Sequence, residues 1–512
     1  MIQGTSIKST TLAAAAVRSS RLSSAGHQRA SMHLGRATSD GTKELLQRGD
    51  GPARAAARLR VGKRGSNGAE SSPALHVSRR GVGSPYLWAK DVPRIEASKH
   101  AISSFQSNFL QASINPYIEA STKKDAEKQA YVESLVLQEL VDDLDIPRDG
   151  LVVSALLTDD IVRPAGGDAA DRLSKLVIKK GVNLAAQEFD VETLDHVVCR
   201  IPEELLFGGN NGKLNDALQR ASDVLETLRS ENKLQSYGFA LSSVSGCAQS
   251  LDALVESVFA GLADKYDHFA SLQLPVSLSS ALLPFSSVMT QFRDEKQMML
   301  FAEKPFEASL SNGKPLSLKS YSNHTGEDIA LLLKSAFNLA ISVERKYMES
   351  ILPEHANLNL PAAEDVAWGH ILANQHGQFD NLEEWVYIRE TQITPRFEVT
   401  LREFANFEET KDLGFAYSIA LRELLKCFTA SIELLDASRA QDILEVVMSH
   451  QLAPSDRLEE VAIKAALSSG ADVVLVQEQL GDKSALPFDE TYAPEQLAQL
   501  LSVTKPLFQV SS

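Results

Sequence analysis

Between residues 86 and 512, short apolar runs alternate with segments of helical period, and this alternation restricts the fold more than any other feature of the chain. A strand that recurs after each helix-length segment builds a parallel sheet wrapped by its crossover helices. The runs Leu151–Leu157 (LVVSALL), Leu194–Arg200 (LDHVVCR), Gln235–Ala240, Leu272–Val276 and Asp472–Gln477 (DVVLVQ) read as strands. Between them, Leu214–Leu228 sets Leu214, Ala217, Leu218, Ala221, Val224, Leu225 and Leu228 on one helical stripe. Weaker strands at 113–118, 297–302 and near 85–93 complete a set of eight. Eight β/α units without a Gly-rich phosphate loop predict a closed barrel rather than a doubly wound sheet.

Charge divides the chain in two. Residues 1–90 hold 15 Lys and Arg against Asp40, Glu44, Asp50 and Glu70, a net of +11, so the rest of the −16 chain carries −27. A body this acidic is a poor candidate for broad nucleic-acid binding, which needs clustered cations. Residues 1–39 contain no acid, are rich in Ala, Ser and Arg, and lack the continuous apolar core of a secretory signal. That pattern predicts an organelle transit peptide over 1–40, most simply mitochondrial, with the abundant serine leaving a chloroplast address or an untargeted basic arm open. Residues 41–85 remain rich in Gly, Ser, Ala and Arg without apolar periodicity, and are expected to form a disordered linker, with the barrel domain filling 86–512. No apolar run approaches the roughly 18 residues of a membrane span.

Six segments, in chain order, resemble the aldo-keto reductases over roughly 90–314 and 456–502. Ser113–Ala120 (SINPYIEA) is similar to that family's G-I-N-x-[FI]-D-T-A, and Pro147–Ser154 (PRDGLVVS) to its P-R-D-x-L-x-[IV]-S. Asp195–Glu203 (DHVVCRIPE) resembles D-x-x-x-L-H-N-P-E, and Leu225–Leu228 with Asn232–Gly238 resembles L-E-x-L followed by G-K-[IV]-R-x-[IY]-G. Pro305 with Asn312–Lys314 is similar to S-P-L followed by T-G-K, and Pro494–Leu497 to the S-P-E-Q-L that opens the last crossover helix. The resemblance implies an α/β fold, a (β/α)8 TIM barrel, here with a large helical insertion at 315–455 between strands 7 and 8 and a disordered N-terminal extension. It also implies a nicotinamide dinucleotide held at the C-terminal ends of the strands.

Carried over residue by residue, the family's chemistry does not survive. Carbonyl reduction by hydride needs a proton donor for the developing alkoxide. The family's aspartate, tyrosine, lysine and histidine fall on Ile118, Lys123, Leu156 and Arg200. Ile and Leu do not titrate, and neither Lys nor Arg is a phenolic acid. A one-residue slip brings Glu119 to the aspartate position, but no slip restores the tyrosine, because Tyr131 should lie in the next helix and Tyr117 alternates with Ile118. The Ser-Asn pair for the carboxamide falls on Ala240 and Leu241, and the aromatic platform for the nicotinamide falls on Glu303. A carboxylate offers no flat π-face to orient that ring. Of the cofactor-binding residues only Gln273 looks retained, and Lys483 is the sole cation near the place of the 2′-phosphate. No cofactor is therefore expected.

Cys199, Cys247 and Cys427 show no CxxC pairing, and His370 and His376 lie six apart, so no metal site is expected. The cysteines read as buried thiols, with Cys199 as a nucleophile the sharper alternative. In the insertion, Ile329–Val343 is strongly apolar, and Phe415, Ile419, Leu424, Phe428, Ile432 and Leu435 share a helical spacing. Trp368, Phe379, Trp385, Tyr387 and Phe397 are more simply a bundle core than a ligand box, and a lid or partner surface is the sharper reading of the insertion.

The expectation from sequence is a catalytically degenerate protein of the mitochondrial matrix, acting as a structural or assembly subunit of a protein complex. A ribosomal or RNA-processing assembly is one candidate, with RNA contact through the basic N-terminal arm. The alternative is a divergent NAD(P)H-dependent oxidoreductase reducing a carbonyl substrate, with Tyr387, His370 or Lys304 as proton donor. A third reading is metabolite sensing in the remodelled mouth.

Overall fold

Eight parallel strands close into a barrel: β1 (Arg80–Ser84), β2 (Phe109–Ile114), β3 (Val152–Leu157), β4 (Leu194–Ile201), β5 (Leu234–Leu241), β6 (Phe269–Pro275), β7 (Met299–Glu303) and β8 (Val473–Val476). β8 pairs with β7 on one side and with β1 on the other, Val474 opposite Arg80 and Val476 opposite Val82, which seals the ring. The computed structural model describes residues 35–47, 57–61, 74–84, 107–114, 146–158, 168–242, 250–318, 326–453, 457–476 and 491–508, with Pro116 and Leu144, apart from 210, 281, 312–314, 356, 359 and 380–381.

The β-branched and aromatic runs of β3 to β8 form strands because both their faces are covered, one by the barrel interior and one by helices. β1 has a different logic. Its Arg-Gly-Val-Gly-Ser has one apolar side chain, and the two glycines leave room for Leu475 of β8, whose side-chain atoms lie 2.8 and 3.0 Å from where a Cβ on Gly81 or Gly83 would sit. β1 and β2 therefore begin upstream of the expected 85–93 and 113–118. In β2 the inward Gln111 interrupts the apolar run and masks the strand.

Helices follow in the order α1 (Ser39–Gln47), α2 (Lys175–Phe189), α3 (Asn211–Ser230), α4 (Ser287–Lys296), α5 (Gly326–Lys346), α6 (Trp368–Gln375), α7 (Thr394–Ala405), α8 (Glu408–Ser449), α9 (Leu458–Ser468) and α10 (Pro494–Thr504). α3 buries Leu214, Ala217, Leu218, Ala221, Leu225 and Leu228 of the stripe predicted from its spacing, adds Ser222 to it and leaves Val224 only half-buried.

The floor of the barrel corrects the expected linker. Within 41–85 lie most of α1, an antiparallel hairpin of Ala57–Arg60 with Ala74–Val77, and β1 itself. Leu59, Leu75 and Val77 of the hairpin pack with Phe109, Val152, Phe301 and Leu475 under the barrel. Alternating arginines disguise this strand pair as a basic linker, yet Arg60 is buried and donates to the carbonyl oxygens of Phe269 (2.5 Å) and Lys296 (3.1 Å). The end of the expected presequence joins the floor too, since Ala37 is buried and bonded at both its N–H and C=O. Residues 1–34 lie outside the described residues.

The insertion is a helical bundle centred on α5 and α8, which run antiparallel, with Glu344 meeting Tyr417 and Phe337 meeting Phe428. Trp368, Phe379, Trp385 and Phe397 belong to its core, and the Trp385 and Phe428 rings lie 4.5 Å apart. The expected stripe on α8 divides: Leu424, Phe428 and Ile432 are buried, whereas Phe415 (72 %), Ile419 and Leu435 are exposed. α8 packs against the short strand Pro315–Ser317, α9 and α10, so the bundle leans on the outer shell of the barrel. Among the described residues no helix is long and apolar enough to cross a membrane.

Candidate functional site at the mouth of the barrel

Strand ends on the C-terminal side of a (β/α)8 barrel carry the side chains that face a ligand, so this is where the site must be sought. Arg200 is the penultimate residue of β4 and Glu303 the last of β7. The Arg200 guanidinium grips the Glu303 carboxylate through both its terminal nitrogens, Nη1 to Oε1 and Nη2 to Oε2, the second at 3.2 Å. Nη1 also donates to the carbonyl of Leu241 at 3.2 Å. Arg200 and Glu303 are 7 % and 5 % exposed, so two full charges sit where water cannot solvate them. Such a pair persists only if further hydrogen bonds offset the desolvation.

Those bonds come from neighbouring strands. Gln273 of β6 donates through Nε2 to Glu303 Oε2, and exchanges two amide bonds with Gln111 of β2, at 2.9 and 3.0 Å. Gln111 in turn donates to Ser154 Oγ of β3 at 3.3 Å. Leu156, Val198 and Ala240 form a small apolar layer within the same barrel. A polar chain thus runs from Ser154 through two amides to the ion pair, tying five strands together across the barrel.

Four residues before Arg200, His196 lies between Ser236 Oγ (2.9 Å) and Ser271 Oγ (2.8 Å), with its ring stacked 6.0 Å from that of Phe301. Complete burial, only partly offset by its hydrogen bonding to Ser236, pulls its pKa down to about 3, so the ring is neutral. Cys199 is buried beside Arg200, and burial pushes its thiol up to about 12, which removes it as a thiolate nucleophile.

The residues singled out from sequence divide accordingly. Leu156, Arg200, Ala240, Gln273 and Glu303 line the barrel; Ile118, Lys123 and Lys483 and the side chain of Tyr387 lie outside the described residues. The other two candidate donors are not brought together. Lys304 follows β7 in a left-handed conformation (φ +58°) and pairs with Glu307 at 2.9 Å. Burial works against its ammonium, but Glu307 and Glu303 outweigh that and hold its pKa above the ordinary lysine range, so it keeps its proton. His370 belongs to the bundle, where its Nδ1 lies 2.6 Å from the buried Glu344, which also accepts from the Gly369 and His370 amides. What sequence could not supply is the pairing of Arg200 with Glu303, since each stands out only as a departure from a motif.

Tested against a nicotinamide ring, these residues do not fit. The position that the resemblance assigns to a stacking aromatic holds a carboxylate locked to an arginine, and the amide of Gln273 is committed to Gln111 and Glu303. Where α2 covers β3 and β4, a cleft lined by Leu157, Thr158, Ile178, Cys199 and Arg200 has room for about 20 Å³ of solvent, on the scale of a single water, and Glu303 is not part of its wall. Among the described residues no cluster of three or more His, Cys, Asp or Glu could hold a metal ion.

Neither a protein-family model nor a curated protein sequence matches the chain. Among solved structures, the chain is similar to an aldo/keto reductase from Klebsiella pneumoniae in complex with NADP and acetate, at 14 % identity and a TM-score of 0.29, covering 45 % of this chain and 65 % of that one. It is similar to an aldo-keto reductase from Bacillus halodurans in its holo form at 14 % identity and a TM-score of 0.30, with 55 % and 77 % covered. A glycerol dehydrogenase from Gluconobacter oxydans gives 10 % identity and a TM-score of 0.38, with 87 % and 94 % covered. The chain thus spans just under two thirds of the Klebsiella protein's length. These likenesses concern the fold, which the closed barrel establishes independently.

Proposed function

We propose that this chain is a catalytically degenerate relative of the aldo-keto reductases that serves as a structural or assembly subunit of a complex in the mitochondrial matrix. The observation that carries the reading is the buried Arg200–Glu303 pair, seated where the resemblance would place a hydride carrier. Hydride transfer needs a nicotinamide held within a few tenths of an ångström of a productive pose. An ion pair with an amide bonded to it supports neither the ring nor its polyphosphate. The acid-free N-terminal stretch supports the mitochondrial address, and the basic arm with the acidic body supports a ribosomal or RNA-processing assembly containing basic proteins and RNA. A fold of this kind hosts many unrelated roles, so the assignment rests on the site and on charge.

Titration of the purified protein with NADPH and NADH, followed by nicotinamide fluorescence, tests the loss of cofactor binding. No binding at millimolar concentration is expected, and micromolar binding would return the chain to the oxidoreductases. Affinity purification of the tagged protein from isolated mitochondria, with mass spectrometry of what comes with it, tests the assembly role. Co-migration with a large particle is expected; recovery only as a free monomer would sink that part of the reading.

A further inference from the structure

We propose that the mouth of the barrel is a carboxylate-binding site whose ligand is built into the chain, Glu303 being seated on Arg200 and Gln273 as an external carboxylate would be. The receptor and the ligand come from different strands. Arg200 on β4 presents the planar fork that matches a carboxylate edge, one nitrogen to each oxygen. Gln273 on β6 supplies a third donor, held in place by its double amide contact with Gln111 and, behind that, by Ser154. Arg200 and Gln273 are 7 % and 1 % exposed, so this receptor is a walled site rather than a surface patch. Glu303 enters it from the last position of β7, and the chain then turns away through the left-handed Lys304.

Two features set this arrangement apart from an ordinary structural ion pair. The carboxylate has three donors on its two oxygens, the coordination expected for a recognised anion, and none of the three belongs to its own strand. All three donors are taken by Glu303 and both donor residues are buried, so no second anion shares the site while Glu303 is in place. The consequence is that the native mouth refuses small anions, and a chain shortened at Glu303 recovers an affinity for them.

Chemical rescue tests the proposal. Glu303→Ala is melted in sodium formate and in sodium chloride of equal ionic strength, with the native chain and the double variant Arg200→Met/Glu303→Ala alongside. Formate is expected to raise the melting temperature of Glu303→Ala saturably, by roughly 2–4 °C over chloride. It should leave the native chain and the double variant unmoved. Equal melting of Glu303→Ala in both salts, or the same formate response in the native chain, would overturn the proposal. If Glu303→Ala does not stay folded, its refolding yield from urea is compared in the two salts; a higher yield in formate is expected, and equal yields would overturn it. The inference rests on the reading of the mouth as closed by Glu303, but the two fail separately: NADPH binding by the native chain refutes the proposed function, while formate rescue reports only on the seat of Glu303.

Discussion

The backbone N–H of Ala37 donates to Asp195 Oδ1 at 2.7 Å, joining the first described segment of the chain to the start of β4. Asp195 is fully buried, and its other oxygen takes Arg148 Nη2 (2.9 Å) and the Val153 amide (2.8 Å), while Gln235 bridges Asp195 Oδ1 and the Ala37 carbonyl. One carboxylate thus holds the N-terminal strap, the entry to β3 and β5 to a single point beneath the barrel. Asp195→Ala leaves the Arg148 guanidinium buried without its counter-charge, and is expected to cost about 3–5 kcal/mol of unfolding free energy. Urea denaturation followed by circular dichroism measures it; a loss below 1 kcal/mol would place the pair in the class of solvent-screened surface bridges.

His196 makes stability depend on pH. Its folded pKa of about 3 lies below the ordinary 6.5, so over that interval the unfolded chain binds a proton that the folded chain refuses. The stability is present above pH 6.5 and drains away as the pH falls, at up to about 1.4 kcal/mol per unit. Between pH 7 and pH 5 the native chain is expected to lose about 2 kcal/mol more than His196→Gln. Parallel urea titrations at the two pH values give the difference, and equal losses would show that the ring is protonated in the fold.

Gly238 of β5 faces Ser271 of β6 with no room for a side chain. A Cβ there would sit 2.6 Å from the Ser271 carbonyl oxygen, at the point where the register between the two strands shifts. Gly238→Ala must push backbone apart, and a loss of about 1–3 kcal/mol is expected. An unchanged denaturation midpoint would mean that the bulge can relax.

The two phenylalanines of α8 provide an internal control on its orientation. Phe428 is fully buried against Trp385, Phe379 and Phe337, whereas Phe415 is mostly exposed. Phe428→Ala is expected to cost about 3–5 kcal/mol, and Phe415→Ser to change stability by less than about 0.5 kcal/mol. Thermal melts of the two variants decide it, and comparable losses would mean that the helix is rotated from the arrangement described.

Cys199 should be inert. With its thiol raised to about 12 by burial, the thiolate fraction at pH 8 is negligible, and iodoacetamide should label the Cys199 peptide only after denaturation. Mass spectrometry of the digest reads this directly, and labelling of the native chain within minutes would restore the nucleophile reading.

The barrel was legible wherever strand chemistry was undiluted. Val152–Leu157, Leu194–Ile201 and Leu234–Leu241 stand within a residue or two of their predicted bounds because both faces of each are buried and the apolar run is nearly continuous. Arg80–Ser84 and the Ala57–Arg60 hairpin strand were not legible, since their glycines and arginines acquire meaning only from partners distant in sequence, Leu475 for the glycines and the Phe269 carbonyl for Arg60. The mouth lies between these cases. Arg200 and Glu303 could each be picked out as residues unsuited to a hydride site, but their mutual contact depends on strands brought together by barrel closure. On α8, spacing put Phe415 and Ile419 with Phe428, and the fold separates them because this 42-residue helix is covered by different neighbours along its length.

The pairing of β8 with β1 has a consequence for biogenesis. While the ribosome is still making the bundle, Leu475 has not been synthesised, and Gly81 and Gly83 have no side chain to close over them. A nascent chain therefore carries an unsealed cylinder, with bare amide edges on β1 and β7, until β8 has been made. Holding those edges apart from other polypeptides during that interval is work for a chaperone, and the final short strand acts as the clasp that ends the need for it.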